Sequence, residues 1–217
     1  MPQAHAAEAI TPRMKAATVI FSDHLSKCQH ISSAIPSTLL SCAFSHLQTL
    51  QWYSNKKYLT LWFVEDSCRC PYAYTGFSIP STPMPECIIA LRNAIVDITG
   101  AKGINSCNAN LYQDGSNSIA WHSDNENLFR ADRQKSTIVS VSLGADRTFW
   151  IRCRANGLET PTLLSHGDIC TMEGYFQKFF EHCVLPEINP SYHSGMRINL
   201  TFRAIVLHDK ACPKRDE

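Results

Sequence analysis

Residues 196–203 read Met-Arg-Ile-Asn-Leu-Thr-Phe-Arg, and the alternation of apolar and polar side chains is complete. Successive side chains of an extended chain point to opposite faces. Met196, Ile198, Leu200 and Phe202 therefore share one face, and Arg197, Asn199, Thr201 and Arg203 share the other. Such a strand commonly turns its polar face to water, which predicts an exposed, edge-like strand. Two Arg framing Asn and Thr make a less ordinary face, because each guanidinium is a rigid fork of donors suited to a carboxylate. The stretch before it has the same β character. Ile119–His122, the β-branched run Thr137–Leu143 and the alternating Thr148–Arg154 read as strands. Asp114-Gly115 reads as a turn, and Gly167-Asp168 sits where a hairpin would reverse. Short strands at this spacing predict an all-β barrel or jelly-roll core.

The first half is mixed. Residues 1–16 are Ala-rich and polar, which predicts a short helix or a tail. Ala16–Phe21 and Tyr58–Val64 read as strands. After Pro36, residues Leu39, Leu40, Ala43 and Leu47 recur at helical spacing, and a second amphipathic helix spans Pro85 to the stop at Gly100. Both helices read as packing helices. Between them, Pro71, Pro80, Pro83 and Pro85 forbid a long regular element. Tyr72 and Tyr74 lie one residue apart, so on an extended piece both rings face the same way. The tail from His208 is charged, contains Pro213 and reads as frayed.

At 217 residues, 44% of them hydrophobic, the chain suits one domain with a sizeable core. Its net charge of +1 excludes a broad electrostatic grip on duplex nucleic acid. No apolar leader or membrane-length run is visible. The expectation is a soluble intracellular monomer without membrane contact. The ten Cys then read as reduced, mostly buried thiols. Cys68-x-Cys70 with Cys87 and Cys107 fits no standard zinc spacing.

Chemistry concentrates around His122-Ser-Asp124. On an extended segment the imidazole and carboxylate converge on one point. Two His and one carboxylate are the ligand set of non-heme Fe(II) oxygenases. His182, among Phe179, Phe180, Val184 and Leu185, is the candidate for the second His, although alone it reads equally as a satisfied core histidine. With iron nearby, the two Arg forks of 197–203 suit a small dicarboxylate.

Taken together, His122-x-Asp124, His182 and R-x-N-x-T-x-R at 197–203 resemble the AlkB-like family of Fe(II)/2-oxoglutarate dioxygenases. Asn110-x-Tyr112 and Glu126 match its pattern too. The resemblance covers roughly residues 68–206. Residues 167–184 look like the AlkB domains of plant RNA viruses, whereas Tyr74-Thr-Gly76 and Asp114-Gly115 look like the cellular repair branch.

The resemblance implies a double-stranded β-helix with N-terminal helices packed outside. It divides the chain into an extension and nucleotide-recognition lid (1–105), the dioxygenase core (106–208) and a tail (209–217). It implies Fe(II) on His122, Asp124 and His182, with 2-oxoglutarate and O2 as co-substrates. Arg197 would pair with the distal carboxylate, with Asn110, Tyr112, Asn199 and Arg203 completing the 2-oxoglutarate site. Glu126, Tyr72 and Tyr74 would contact the base. The reaction would be removal of N-alkyl groups, as in 1-methyladenine or 3-methylcytosine, from DNA or RNA. A base must leave the duplex to reach the metal, so the partner would be single-stranded or flipped-out nucleic acid. No segment matches the hydrophobic finger of the duplex-repair branch. Arg130–Lys135 forms a small basic loop suited to flanking phosphates. The same fold also serves hydroxylases of proteins or small molecules, and catalytically dead relatives that only bind nucleic acid.

Overall fold

The alternating strand at 197–203 lies in the middle of a sheet, not at an exposed edge. In this computed structural model, residues 17–74, 76–187 and 195–216 are described. The expectations for residues 1–16 fall outside them. The N-terminal half contains β1 (Thr18–Ser22), β2 (Ser26–Ile31), α1 (Ser37–Gln48), β3 (Tyr53–Asn55) and β4 (Tyr58–Val64). A short hairpin follows, β5 (Tyr72–Tyr74) and β6 (Phe77–Ile79), then β7 (Thr82–Pro83) and α2 (Glu86–Thr99). The rest is almost all strand: β8 (Ser106–Tyr112), β9 (Ile119–His122), β10 (Ser136–Gly144), β11 (Arg147–Cys153) and β12 (Glu159–Leu164). It ends with β13 (Ile169–Gly174), the single turn α3 (Phe176–Phe179), β14 (Phe180–Val184) and β15 (Arg197–Arg203).

Two sheets carry the molecule. The major sheet runs β1-β2-β13-β10-β15-β8-β4-β3, with β7 beside β4, and the minor sheet runs β12-β11-β14-β9. From β8 onward the chain crosses repeatedly between them, with β8, β10, β13 and β15 in the major sheet and β9, β11, β12 and β14 in the minor one. This is a double-stranded β-helix. Gly167-Asp168 accordingly marks a crossing from the minor sheet to the major one, because β12 pairs with β11 and β13 pairs with β10. A turn signal reports a reversal but not which partner the next strand finds.

The alternation of β15 fits this placement. Ile198, Leu200 and Phe202 are fully buried with Leu40, Ala43 and Leu47 of α1 and Ile88, Leu91 and Ile95 of α2. The opposite face of β15 looks between the sheets. The helices thus cover the outer face of the major sheet, as a sheet with two covered faces requires. Both helices form where expected, and α2 stops at Gly100, whose φ of +69° is left-handed and whose N–H donates to the Val96 carbonyl at 2.8 Å.

Three local expectations change. Strand β2 was not anticipated; its apolar residues are too sparse to show a pattern, and pairing with β1 and β13 forms it. The tail beyond His208 does not fray: Cys212 is buried and Pro213–Asp216 form a 3-10 turn. Cys87 and Cys107 belong to the core between the helices and the major sheet, whereas Cys68 and Cys70 are buried in the other core. All ten Cys are free thiols. No helix among the described residues is long and apolar enough to cross a membrane.

Candidate active site

The His-x-Asp pair sits where β9 runs out of the minor sheet. His122 is the last residue of β9, and its register partner across the ladder is His182 of β14. Their rings stand 4.3 Å apart between centroids. Asp124 follows on the loop, with Oδ1 3.8 Å from His122 Nε2 and 4.0 Å from His182 Nε2. One donor atom from each of the three falls within a 4.8 Å cluster. The His122 Nδ1 sits 2.8 Å from the Ala120 carbonyl and donates to it in the tautomer that leaves Nε2 free for a metal. The Asp124 backbone N–H donates to the buried Gln177 amide oxygen at 2.9 Å, which fixes the loop. Gln177 was missed in the sequence, where nothing distinguishes it from an ordinary helix glutamine.

Charge balance prepares the cluster for a divalent cation. Burial pushes the Asp124 carboxyl up, but Arg203, His182 and His122 outweigh it and hold it below the usual range. Burial and the neighbouring His122 drive His182 down to about 3, so it is neutral and offers a lone pair. The Asp124 Oδ2 and His182 Nδ1 atoms are buried and make no hydrogen bond. The donor set therefore fits Fe(II).

The inward face of β15 forms the adjoining wall. Arg197 is fully buried, donates from Nη2 to Ser142 Oγ and Asn199 Oδ1 at 2.8 Å each, and stacks over Tyr112 at 5.4 Å. Its Nε and Nη1 have no hydrogen-bond partner among the described residues. Burial lowers its guanidinium to about 10, against the opposing pull of Tyr112. Asn199 is aligned with Asn110, and Arg197 with Tyr112, across the β15–β8 ladder. The Asn110 Oδ1 is likewise buried and unpartnered. The unpartnered donors of Arg197, buried on one cation, fit a carboxylate ligand such as 2-oxoglutarate, whereas Asn110 Oδ1 is an acceptor and needs a donor.

Six residues along β15, Arg203 serves the other end. Its Nη1 lies 3.4 Å from Asp124 Oδ1 and 3.6 Å from Glu126 Oε2, and donates to the Tyr72 hydroxyl at 3.3 Å. Tyr72 in turn donates to Glu126 Oε1. Burial raises the Glu126 carboxyl, Arg203 opposes this, and Asp124 raises it further. Glu126 Oε2 accepts no hydrogen bond. Tyr72 stacks on Trp62 at 4.9 Å, and Tyr74 stands 5.2 Å from Tyr72 on the same side, with its hydroxyl 2.8 Å from that of Tyr58.

One cavity of about 850 Å³ joins these groups. His122, Asp124, His182, Glu126, Tyr72, Tyr74, Asn110, Tyr112, Asn199 and Arg203 all line it, and Arg197 stands behind Asn199 and Tyr112. Trp121 and Arg154 line it too. Arg154 donates to Ser123 at 3.0 Å, while Arg152 lies 4.2 Å over the Trp121 ring. The loop Arg130–Lys135 does not reach this cavity; Gln134 and Lys135 line a separate depression beside Gly100 and Lys102.

Sequence comparison assigns the chain to a family. A sequence model of the 2OG-Fe(II) oxygenase superfamily matches residues 19–203. The chain belongs to that superfamily, and within it is AlkB-like. It is 35% identical over 167 residues to human alpha-ketoglutarate-dependent dioxygenase alkB homolog 3, covering 71% of this chain and 54% of the relative. It is 27% identical over 159 residues to the Arabidopsis thaliana DNA oxidative demethylase ALKBH2, covering 63% and 47%. The chain thus spans about half the length of the curated relatives it matches. Among solved structures, that of OsALKBH1 superposes with a TM-score of 0.57 at 16% identity, covering 81% of this chain and 97% of that one. A 2OG-Fe(II) oxygenase family oxidoreductase from Burkholderia pseudomallei gives 0.54 at 14% identity, covering 81% and 84%. These likenesses extend to the fold.

Proposed function

We propose that this chain is an Fe(II)/2-oxoglutarate-dependent oxidative demethylase of N-alkylated bases, such as 1-methyladenine and 3-methylcytosine, in single-stranded or flipped-out DNA or RNA. The observation that carries this reading is Glu126. Its buried carboxylate lies in the same cavity as the His122–Asp124–His182 triad, with one oxygen held by Tyr72 and the other without a hydrogen bond. A carboxylate oxygen that accepts no hydrogen bond suits an exocyclic amino group, and the carboxylate, although its Oε2 lies 3.6 Å from the Arg203 guanidinium, favours the positive charge of an N-methylated base. The activities named for the relatives, an alpha-ketoglutarate-dependent dioxygenase and a DNA oxidative demethylase, support the same class.

His122, Asp124 and His182 would hold Fe(II), which with 2-oxoglutarate and O2 would supply the oxidising equivalents for hydroxylating an N-alkyl carbon, 2-oxoglutarate being converted to succinate and CO2. The hydroxymethyl group then leaves as formaldehyde. The chain's own residues position and exclude. Arg197 holds the distal carboxylate of 2-oxoglutarate through its unused donors, with Asn110 and Tyr112 beside it. Asn199 and Arg203 brace the inner end, and Arg203 also steadies Asp124. Tyr72 and Tyr74 give the base a stacking wall, worth about 1–3 kcal/mol per base.

The test is an anaerobic titration with Fe(II) and 2-oxoglutarate, then oxygen, with an oligonucleotide carrying one 1-methyladenine. The expected result is loss of one methyl and release of formaldehyde, absent in Asp124→Ala. Succinate formation without methyl loss would move the substrate to a protein or small molecule. Failure to bind 2-oxoglutarate would leave a nucleic-acid-binding protein of the same fold.

A further inference from the structure

A second cluster of metal-ligating atoms lies on the rim of the cavity, in residues the chemistry above does not use. Cys68, Cys70, His208 and Cys212 each place one donor atom within a common 4.8 Å cluster. Two come from the segment between β4 and β5, and two from the segment after β15, 138 or more residues away. The three Cys are buried to at least 96%.

Four of the six spacings between the donor atoms match the edges of a zinc tetrahedron, and the other two lie within 4.8 Å. Zn–S bonds of about 2.3 Å and Zn–N bonds of about 2.0–2.1 Å imply sulfur–sulfur edges of about 3.8 Å and sulfur–nitrogen edges of about 3.6 Å. The Cys68 and Cys212 sulfurs are 3.7 Å apart, and His208 Nδ1 lies 3.7, 3.4 and 3.4 Å from the sulfurs of Cys68, Cys70 and Cys212. A disulfide needs about 2.05 Å between sulfurs, and Cys68, Cys70 and Cys212 are all free thiols here. Backbone N–H groups also point at every sulfur: Cys70 to Cys68 at 3.5 Å, Asp209 to Cys70 at 3.2 Å and Arg69 to Cys212 at 3.3 Å. Donors aimed at sulfur favour the thiolate, which is the metal-binding form.

We propose that Cys68, Cys70, His208 and Cys212 form a structural zinc site that clasps the C-terminal segment to the lead-in of the β5–β6 hairpin. Three thiolates and one imidazole are a closed ligand set, with no position left for a substrate, which is the pattern of structural zinc. Soft thiolates also separate this site from the His/carboxylate triad in metal preference. Binding releases thiol protons to solvent and leaves the sulfurs at the same oxidation level. The consequence reaches the active cavity. Cys70 accepts on its carbonyl from Trp62 Nε1 at 2.9 Å and immediately precedes Pro71 and Tyr72, and Asp209 lies next to His208. Pro71, Tyr72 and Asp209 all line the cavity. The clasp therefore sets the position of the wall that carries Tyr72. It stands independently of the activity proposed above.

The experiment is metal analysis of the full chain, followed by Co(II) replacement of the metal. One zinc per chain should survive in Asp124→Ala and be lost in Cys68→Ser and in Cys212→Ser. Co(II) in the unmutated protein should show sulfur-to-cobalt charge-transfer absorption with intense tetrahedral d–d bands. The triad has no sulfur and cannot produce the former. This spectrum reads the site even where a Cys variant does not fold. Removing the zinc with a thiolate-competing chelator should lower the Tm. Co(II) binding without the charge-transfer band, zinc content that follows Asp124, or a Cys68–Cys212 disulfide in the protein isolated under reducing conditions would overturn the proposal.

Discussion

Asp124 has three charged or titratable neighbours, His122, His182 and Arg203, and its replacement removes the only negative charge of the proposed metal triad. Asp124→Ala should abolish Fe(II) binding and bring demethylation to background, as read by formaldehyde release. Tyr72→Phe tests a finer point. The change deletes the hydroxyl between Glu126 and Arg203 and leaves buried polar groups short of a partner, a cost of about 1–3 kcal/mol. The specificity constant for a methylated oligonucleotide should fall about tenfold or more, with the KM for 2-oxoglutarate unchanged; a shift in the latter alone would assign Tyr72 to the co-substrate. His182 gives a pH prediction. Its folded pKa of about 3 lies below the ordinary value of about 6.5. As pH falls below about 6.5 the unfolded chain takes up a proton that the folded apoprotein refuses. Stability is therefore lost from about pH 6.5 down to about pH 3, by up to about 1.4 kcal/mol per unit from this group. Urea unfolding of metal-free protein should show that loss, and His182→Gln should flatten it. Parallel pH slopes for the two proteins would refute the assignment.

At the scale of elements, β15 does the most, because its two faces serve two purposes. Its apolar face seats α1 and α2, and its polar face lines the site. Leu200→Ala should cost about 2–5 kcal/mol in chemical denaturation by opening a cavity beneath the helices. The crossing from β10 to β11 depends on Gly144, with φ of +89°. A Cβ there would stand 2.2 Å from the Met196 carbonyl oxygen, a backbone atom that cannot swing aside. Gly144→Ala should cost at least about 1–3 kcal/mol from conformation alone, before that contact is relieved. The same strands explain what was readable beforehand. The β15 alternation and the helical spacing of Leu39, Leu40, Ala43 and Leu47 are local patterns, and each formed the expected element. Strand β2 has no such pattern and exists through its neighbours.

Across the whole molecule, the site is a product of two sheets meeting. The proposed iron ligands belong to the minor sheet and its loop, and the proposed co-substrate residues to β8 and β15 of the major sheet. Ligands spanning that gap should stabilise the native state by about 2.7 kcal/mol at a hundredfold excess over Kd. For a chain of this size that is a rise of roughly 5–10 °C in Tm. A thermal shift with Fe(II) and 2-oxoglutarate together, absent in Asp124→Ala, would show both sheets engaged.

The sequence by itself singled out the candidate chemistry-bearing residues and determined the β character of the core, because His-x-Asp spacing, strand alternation and helical periodicity are properties of neighbours along the chain. It was enough to set His122, Asp124, His182 and the 197–203 face into one hypothesis, and all lie around one cavity or directly behind its wall. Only the tertiary structure decided that β15 is central, that the Arg130–Lys135 loop does not line the cavity, and that Trp121 does. Only it decided, too, that Cys68 and Cys70 meet His208 and Cys212 in place of Cys87 and Cys107. Pairings across more than a hundred residues depend on which sheet each strand joins, and that choice is made by packing of the whole chain, which no local pattern encodes.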